Sequence, residues 1–501
     1  MTLPADTYAA MDATAMAQSL RQGDFSAAEL MAAAFAQIDA HNPRLNAVVA
    51  QWRERAMHWA RQFSPTGMTL DGRPPFAGVP FLLKDMHQQL AGELHCLGSA
   101  AWRGRVAKDS SVITQRWMAA GLLPLGLSNA CELGLKPQTE SRHWGAVHNP
   151  WRRGLSAGGS SGGAAAAVAS GMVPMAGGND VGGSIRIPAA ACGVFGFKPG
   201  RGRVSWSHEA EEVWRGAAVH HVLTRSVRDS AAMLDAVRMR QARDADAPSC
   251  LTAAQRGAKP LRIAFSLAFG PGQVADADCA EAVRATARRL QDMGHLVEEA
   301  GPALAWPDWQ AQVEQLMCLI AREGVSELVA QGAKRVRSLE PDTRLAAALG
   351  AAIPARRAAE AVHDWHRHEK AWRRFNERFD VWLTPVTGRT GLPLGAFSAP
   401  DWQVHVARWL LPWIGAERLL SLPSVKARRH SLWCHVPCTP LANWLGLPAM
   451  SVPVHTSAQG LPVGVQCMAG EGREAELFGL AADLERAGPW GAPMAHSPCQ
   501  L

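Results

Sequence analysis

The chain contains a single tyrosine, Tyr8, in 501 residues. Any site built on tyrosine hydroxyls in the latter half is therefore excluded. Blocks of five or more like charges are also missing, although the net charge is +7 from 51 basic and 44 acidic residues. A mild excess without runs argues against a nucleic-acid tail or a polybasic membrane patch. The longest apolar run, "AAAAVASGMVPMA" (164–176), is broken by Gly and Pro and is too short to cross a bilayer. The N-terminus has acidic residues where a secretory signal needs an apolar stretch, so a cytoplasmic location is expected. Ten cysteines are scattered from Cys96 to Cys499 without repeated spacing, and a chain this long needs no disulfide staples. Cys434, His435 and Cys438 stand together, but no second ligand pair follows at zinc-site spacing, which reads as structural.

What is present supports a large core: 48% of residues are hydrophobic and 19% charged, the balance of a globular protein. Ser26-Ala-Ala-Glu29 has the form of a capping box, and the helix it opens should stop before Asn42-Pro43. Residues 12–62 read as helices. "FAGVPFLLKD" (76–85) is an apolar strand ending in a charged pair, and 154–205 alternates glycine turns with one alanine-rich helix. Residues 261–300 read as strand, helix, strand, and 308–378 as mostly helical. "FDVWLTP" (379–385), a hairpin over 449–470 and a final helix close the chain. Interleaved strands and helices imply an α/β fold, and the absence of repeats or low-complexity linkers favours one domain, 1–501.

Two glycine-flanked serine segments stand out: "GGSSGG" (158–163) and "GGNDVGGSIRIPAAACG" (177–193). A flexible linker would not run into apolar strand and helix patterns on both sides. A phosphate loop needs a lysine after the glycines, and alanine stands there. A catalytic serine needs a group to take its proton, and Ser–Lys pairings do this without histidine. The lysine must be neutral, so it belongs at the buried end of an apolar strand. Lys84 in "GVPFLLKD" is such a residue.

"GVPFLLKD", "GGSSGG" and "GGSIRIPAAACGVFGFKP", in that order, closely resemble the amidase signature family of Ser–Ser–Lys hydrolases. "FDVWLTP", "LANWLGLPAMSVPV" and "GLPVGVQ" resemble its C-terminal strands, so the likeness spans roughly 12 to 490. It implies a single domain with a mixed, twisted central sheet covered by helices on both faces. The signature core would cover about 70–205, and a helical substrate-side region about 300–430. Lys84 matches the family's base, Ser184 its nucleophile, and Ser160 the bridging serine, which carries a cis peptide bond. Backbone N–H groups of Val181, Gly182, Gly183 and Ser184 match the oxyanion hole. Asp180, Arg186 and Ser161 would support the loop. Asn179 and Val181 stand where the family usually has threonines, and Gly200 replaces another. These departures bear on substrate orientation rather than on the lysine and serines.

"LKPQTESRHWGAVHNPW" and "HVLTRSVRDSAAMLDAV" are similar to the bacterial branch with 6-aminohexanoate cyclic-dimer hydrolases, which implies small, apolar amide substrates. Asn179 and Cys318 are the candidate substrate contacts. Trp409 and Trp413, one helical turn apart, read as core packing. No cofactor or metal is expected, nor a nucleic-acid or membrane partner, and a homodimer stays open. The alternatives are the glutaminase subunit of a tRNA-dependent amidotransferase, disfavoured by the missing tyrosines, and an idle binding protein on this fold, disfavoured by the intact Lys84, Ser160 and Ser184. A metal enzyme using His363, His366 and Glu369 or Glu360 is a further alternative, but a solvated charged helix face explains that segment more simply.

Overall fold

Apolar runs separated by glycine turns assemble into an eleven-stranded sheet in the computed structural model, which describes residues 3–63, 74–206, 216–239, 248–270, 272–329, 333–488 and 490. The strands are β1 (Val48–Gln51), β2 (Pro80–Lys84), β3 (Leu123–Ser128), β4 (Glu140–Ser141), β5 (Gly145–Ala146), β6 (Met175–Asp180), β7 (Phe195–Lys198), β8 (Val219–Thr224), β9 (Arg262–Phe265), β10 (Leu296–Glu299), β11 (Val381–Pro385), β12 (Ala449–Thr456) and β13 (Pro462–Ala469). β4 and β5 pair separately; the main sheet runs β1-β3-β2-β6-β8-β7-β12-β13-β11-β9-β10.

The sheet is mixed. β3, β2 and β6 lie parallel to one another, so their carboxyl ends share one edge. That edge is where sites form on open α/β sheets, because the chain leaves the strands there in loops and helix starts. β2 ends in Lys84 and β6 in Asp180. Gln88 ties the two ends together: its Oε1 accepts from the Lys84 N–H at 2.7 Å and its Nε2 donates to the Gly178 carbonyl at 3.0 Å.

The capping box at Ser26–Glu29 forms as expected, but the helix runs on through Pro43 to Leu45. Proline there costs hydrogen bonding only within the final turn, and Asn46 ends the helix in the left-handed region at φ 54°. β1 interrupts the segment expected to be helical, as a four-residue edge strand too short to show alternation. The 261–300 unit, "FDVWLTP" and the terminal hairpin all form as read.

Tryptophans of the latter half fall in contrasting environments. Trp309, Trp365, Trp372, Trp382, Trp433 and Trp444 build a second core beneath the 306–376 helices. Trp409 and Trp413 do not pack inside: they are 68% and 78% exposed, because helix Asp401–Ser421 buries its other face through Val404 and Leu411. No described helix is long and apolar enough to cross a membrane.

Candidate active site

Lys84 is fully buried at the end of β2. Its Nζ lies 2.8 Å from Ser160 Oγ, 2.9 Å from Ser161 Oγ and 2.6 Å from Asn179 Oδ1. Burial lowers its pKa from 10.5 to about 7, against opposing contributions from Cys131 and Asp180. Both opponents are weak at neutral pH. Burial pushes the Cys131 thiol up to about 11, so it carries no charge, and Asp180 is already paired with Arg186. A lysine with no unpaired anion beside it gives up its proton readily.

Ser160 follows a cis Gly159–Ser160 peptide bond and lies one residue before Ser161, the N-cap of helix Gly162–Ala169. Gly159 is needed for close approach: a Cβ there would stand 2.5 Å from the Gln138 backbone. Thr139 fixes the turn, accepting from the Gly162 N–H at 2.9 Å and donating to the Gly158 carbonyl at 2.8 Å. The Ser161 N–H donates to the Ser184 carbonyl at 3.2 Å, tying the two glycine-serine segments directly.

Ser184 sits in the turn between β6 and helix Arg186–Cys192. Asp180 organises that turn, accepting from the Gly183 N–H at 2.8 Å and the Ile185 N–H at 3.1 Å. The Arg186 guanidinium grips the same carboxylate at 2.9 and 3.0 Å, and also donates to Asn443 and Gln466. Burial works to raise the Asp180 pKa, but the buried Arg186 charge outweighs it and holds the carboxyl well below its usual range. Gly183 adopts φ 124°, and a Cβ on it would fall 2.4 Å from Thr439 Oγ1.

One expectation changes here. A backbone N–H has one hydrogen to give, and Gly183's goes to Asp180, so it is not free for an oxyanion. Among the described residues, the N–H groups of Gly182 and Ser184 have no such partner. Asn179 lines the small cavity beside Ser184, where its Oδ1 accepts from Lys84 and its Nδ2 donates to the Met86 carbonyl at 3.0 Å. That second bond fixes which end of the amide faces the lysine.

Two cavities meet at Ser184. The smaller, about 20 Å³, is lined by Ser160, Ser184, Asn179, Met86, His87 and Trp206. Trp206 stacks on His220 at 4.0 Å between centroids, and burial lowers the His87 pKa to about 4, keeping that ring neutral. The larger cavity, about 290 Å³, is walled by Leu135, Val181, Met317, Cys318, Leu432 and Trp433 among others. Cys318 therefore borders the cavity, and burial pushes its thiol up to about 12, which makes it a neutral, weakly polar wall.

Sequence reading missed Glu314, Arg429 and Lys136 in this wall. Glu314 accepts from Arg429 Nε and from Trp433 Nε1, each at 2.7 Å. Lys136 pairs with Glu340 at 2.9 Å and Asp342 at 3.1 Å. The i, i+4 spacing of Arg429 and Trp433 was the available signal. His366 pairs with Glu369 on an exposed helix face, while the side chains of Glu360 and His363 lie outside the described residues. Among the described residues, no group of three or more His, Cys, Asp or Glu is arranged to hold a metal ion.

A buried lysine, two hydroxyls and a glycine turn beside an apolar cavity define the equipment of a serine hydrolase without histidine. The family model described as Amidase matches residues 29–478, and the chain belongs to the amidase family, whose members hydrolyse amide carbon–nitrogen bonds. It is 34% identical to a 6-aminohexanoate-cyclic-dimer hydrolase of Pseudomonas sp. (strain NK87), over 96% of this chain and 95% of that one. It is 32% identical to an acylamidase of Rhodococcus erythropolis, covering 96% of each. Among solved structures, 6-aminohexanoate cyclic dimer hydrolase complexed with substrate superposes with a TM-score of 0.83 at 30% identity, covering 97% of this chain and 98% of that one.

Proposed function

We propose that Ser184 is the nucleophile of an acyl-enzyme mechanism in which Lys84 is the base and Ser160 the proton bridge. The observation that carries this is the hydrogen bonding around Lys84 Nζ. A neutral amine has two hydrogens and one lone pair. Asn179 Oδ1 can only accept, and takes one hydrogen. Ser161 points its own hydroxyl hydrogen toward the Asn179 carbonyl at 3.4 Å, so it accepts the other. The lone pair is left facing the Ser160 hydroxyl at 2.8 Å.

Ser160 then gives its proton to Lys84 and takes one from Ser184, whose oxygen attacks the amide carbonyl. Among the described residues no hydrogen bond joins the Ser160 and Ser184 hydroxyls, but both line the same small cavity, across which the proton passes. Such contacts commonly tighten only on substrate binding. Val181, Gly182 and Ser184 are the N–H donors for the oxyanion, each worth about 3 kcal/mol at the transition state. The relay returns the proton to the leaving amine, and water releases the acid.

The larger cavity favours small, uncharged amides. Its two cations are both neutralised, Arg429 by Glu314 and Lys136 by Glu340 and Asp342. A zwitterion would find no free partner among the described wall residues, and burying an unpaired charge costs several kcal/mol. We therefore infer a preference for neutral amides, cyclic aminohexanoate dimer over its linear form, and a poor fit for free glutamine. A panel of cyclic and linear aminohexanoate oligomers, aryl anilides and glutamine tests this. Higher kcat/KM for the neutral members is expected, and preference for glutamine or the linear dimer would overturn it.

A further inference from the structure

Helix Asp401–Ser421 presents Trp402, Val406, Trp409 and Trp413 on the face opposite its buried residues Val404 and Leu411. The spacing of four, three and four residues puts the four side chains in one narrow stripe along the axis. They are 66%, 46%, 68% and 78% exposed. A solvent-facing helix side ordinarily carries polar residues; three tryptophans in register call for a partner. Among the described residues no hydrogen bond occupies their indole N–H groups.

The helical path breaks at Gly415, where φ is 76°, and after Ser421 the chain continues directly into helix Pro423–His435. That helix contains no acidic residue, and Lys426 and Arg428 are exposed on it, with Arg418 exposed at the end of the first helix. The two acids of the pair are Asp401, bonded to Arg142, and Glu417. Exposed indoles with a free N–H, followed in the chain by exposed lysine and arginine, match the headgroup region of a bilayer, where an apolar body and a polar edge are both satisfied. A second copy meeting this face across a two-fold axis would bring like charges together with little acid to offset them.

We propose that this stripe and its basic flank dock the protein onto an anionic lipid surface, the helices lying in the interface rather than crossing it. The sequence criterion that excluded a membrane partner counts contiguous charges, whereas these exposed cations are spread over two consecutive helices. The same pair supplies Leu420, Arg429, Leu432 and Trp433 to the wall of the larger cavity, so docking brings that cavity's helical wall to the lipid. The proposal does not depend on the catalytic assignment.

The test is flotation of the full chain with vesicles of roughly three parts phosphatidylcholine to one part phosphatidylglycerol, against phosphatidylcholine alone. Wild type should bind the mixed vesicles, and a variant combining Trp402→Ala, Trp409→Ala and Trp413→Ala should lose at least about tenfold in partitioning. That variant should still hydrolyse a soluble amide, since none of the three residues borders either cavity at Ser184. Lys426→Glu with Arg428→Glu should remove the preference for the anionic vesicles. Wild-type binding no better than to phosphatidylcholine, or undiminished binding by the triple variant, would overturn the proposal. So would a wild-type dimer that ignores vesicles and is dissolved by the tryptophan substitutions.

Discussion

Acidification should switch the enzyme off through Lys84, and the size of the effect follows from its burial. Burial brings the Lys84 pKa from 10.5 to about 7. If only the neutral amine is competent, about half the molecules are active at pH 7, about a tenth at pH 6 and about a hundredth at pH 5. The acid limb of kcat/KM should therefore fall tenfold per unit below about pH 7. Four other buried groups titrate in or near the same range: Glu132 and Asp229, raised by burial to about 7, Asp85, raised by burial to about 6, and Lys198, lowered by burial to about 7. None of them lines the cavities at Ser184, and Glu132→Gln should leave the limb in place. Asn179→Leu should move it. The Asn179 oxygen accepts from the amine at 2.6 Å and favours the ammonium, so its removal lowers the Lys84 pKa further and shifts the limb to lower pH. The turnover ceiling should drop as well, because the amine loses its orienting bond. A profile of kcat/KM flat down to pH 5, or a limb that Asn179→Leu leaves unmoved, refutes the assignment of Lys84 as base.

The same burial makes Lys84 a destabilising residue with a definite pH window. Its folded pKa lies below the unfolded value, so the unfolded chain binds the extra proton between about pH 7 and 10.5 and stability rises with pH across that window. Lys84→Met should be more stable than wild type below pH 7, by several kcal/mol at about 1.4 kcal/mol per unit, with the gain fading toward pH 10.5; equal denaturation midpoints at low pH would contradict this. Arg186→Met strands the buried Asp180 carboxylate and should cost about 3–5 kcal/mol in chemical denaturation, whereas a change below about 1 kcal/mol would mean the pair does not hold the turn. Glu314→Gln frees the Arg429 cation in the cavity wall and should raise the kcat/KM of linear, carboxylate-bearing aminohexanoate relative to the cyclic dimer. An unchanged ratio would remove that pair from substrate selection.

The fold was legible where chemistry repeats locally. The capping box, the apolar strand ending at Lys84 and the alanine helix after "GGSSGG" each follow from short-range rules, and all three form. Pro43 misled because its effect depends on where a helix ends rather than on the proline itself. The glycine-serine segments pointed to Lys84, Ser160 and Ser184; the structure joins Lys84 to Ser160 by a hydrogen bond and puts Ser160 and Ser184 on the same small cavity. What the sequence hid were partnerships made at a distance. Nothing local says that Asn179 holds Lys84, or that Asp180 consumes the Gly183 N–H. Glu314, Arg429 and Trp433 come from helices without a motif, and the tryptophan pair at 409 and 413 has the same spacing whether it faces core or solvent.

The central claim is that Ser184 forms a covalent bond to the acyl group. Treating the protein with a fluorophosphonate and mapping the adduct by peptide mass spectrometry tests it most directly. The account predicts a single stoichiometric adduct on Ser184, loss of amide hydrolysis in step with labelling, and neither labelling nor hydrolysis in Ser184→Ala. Full hydrolysis by Ser184→Ala, or an adduct on another residue that tracks the loss of activity, would contradict it.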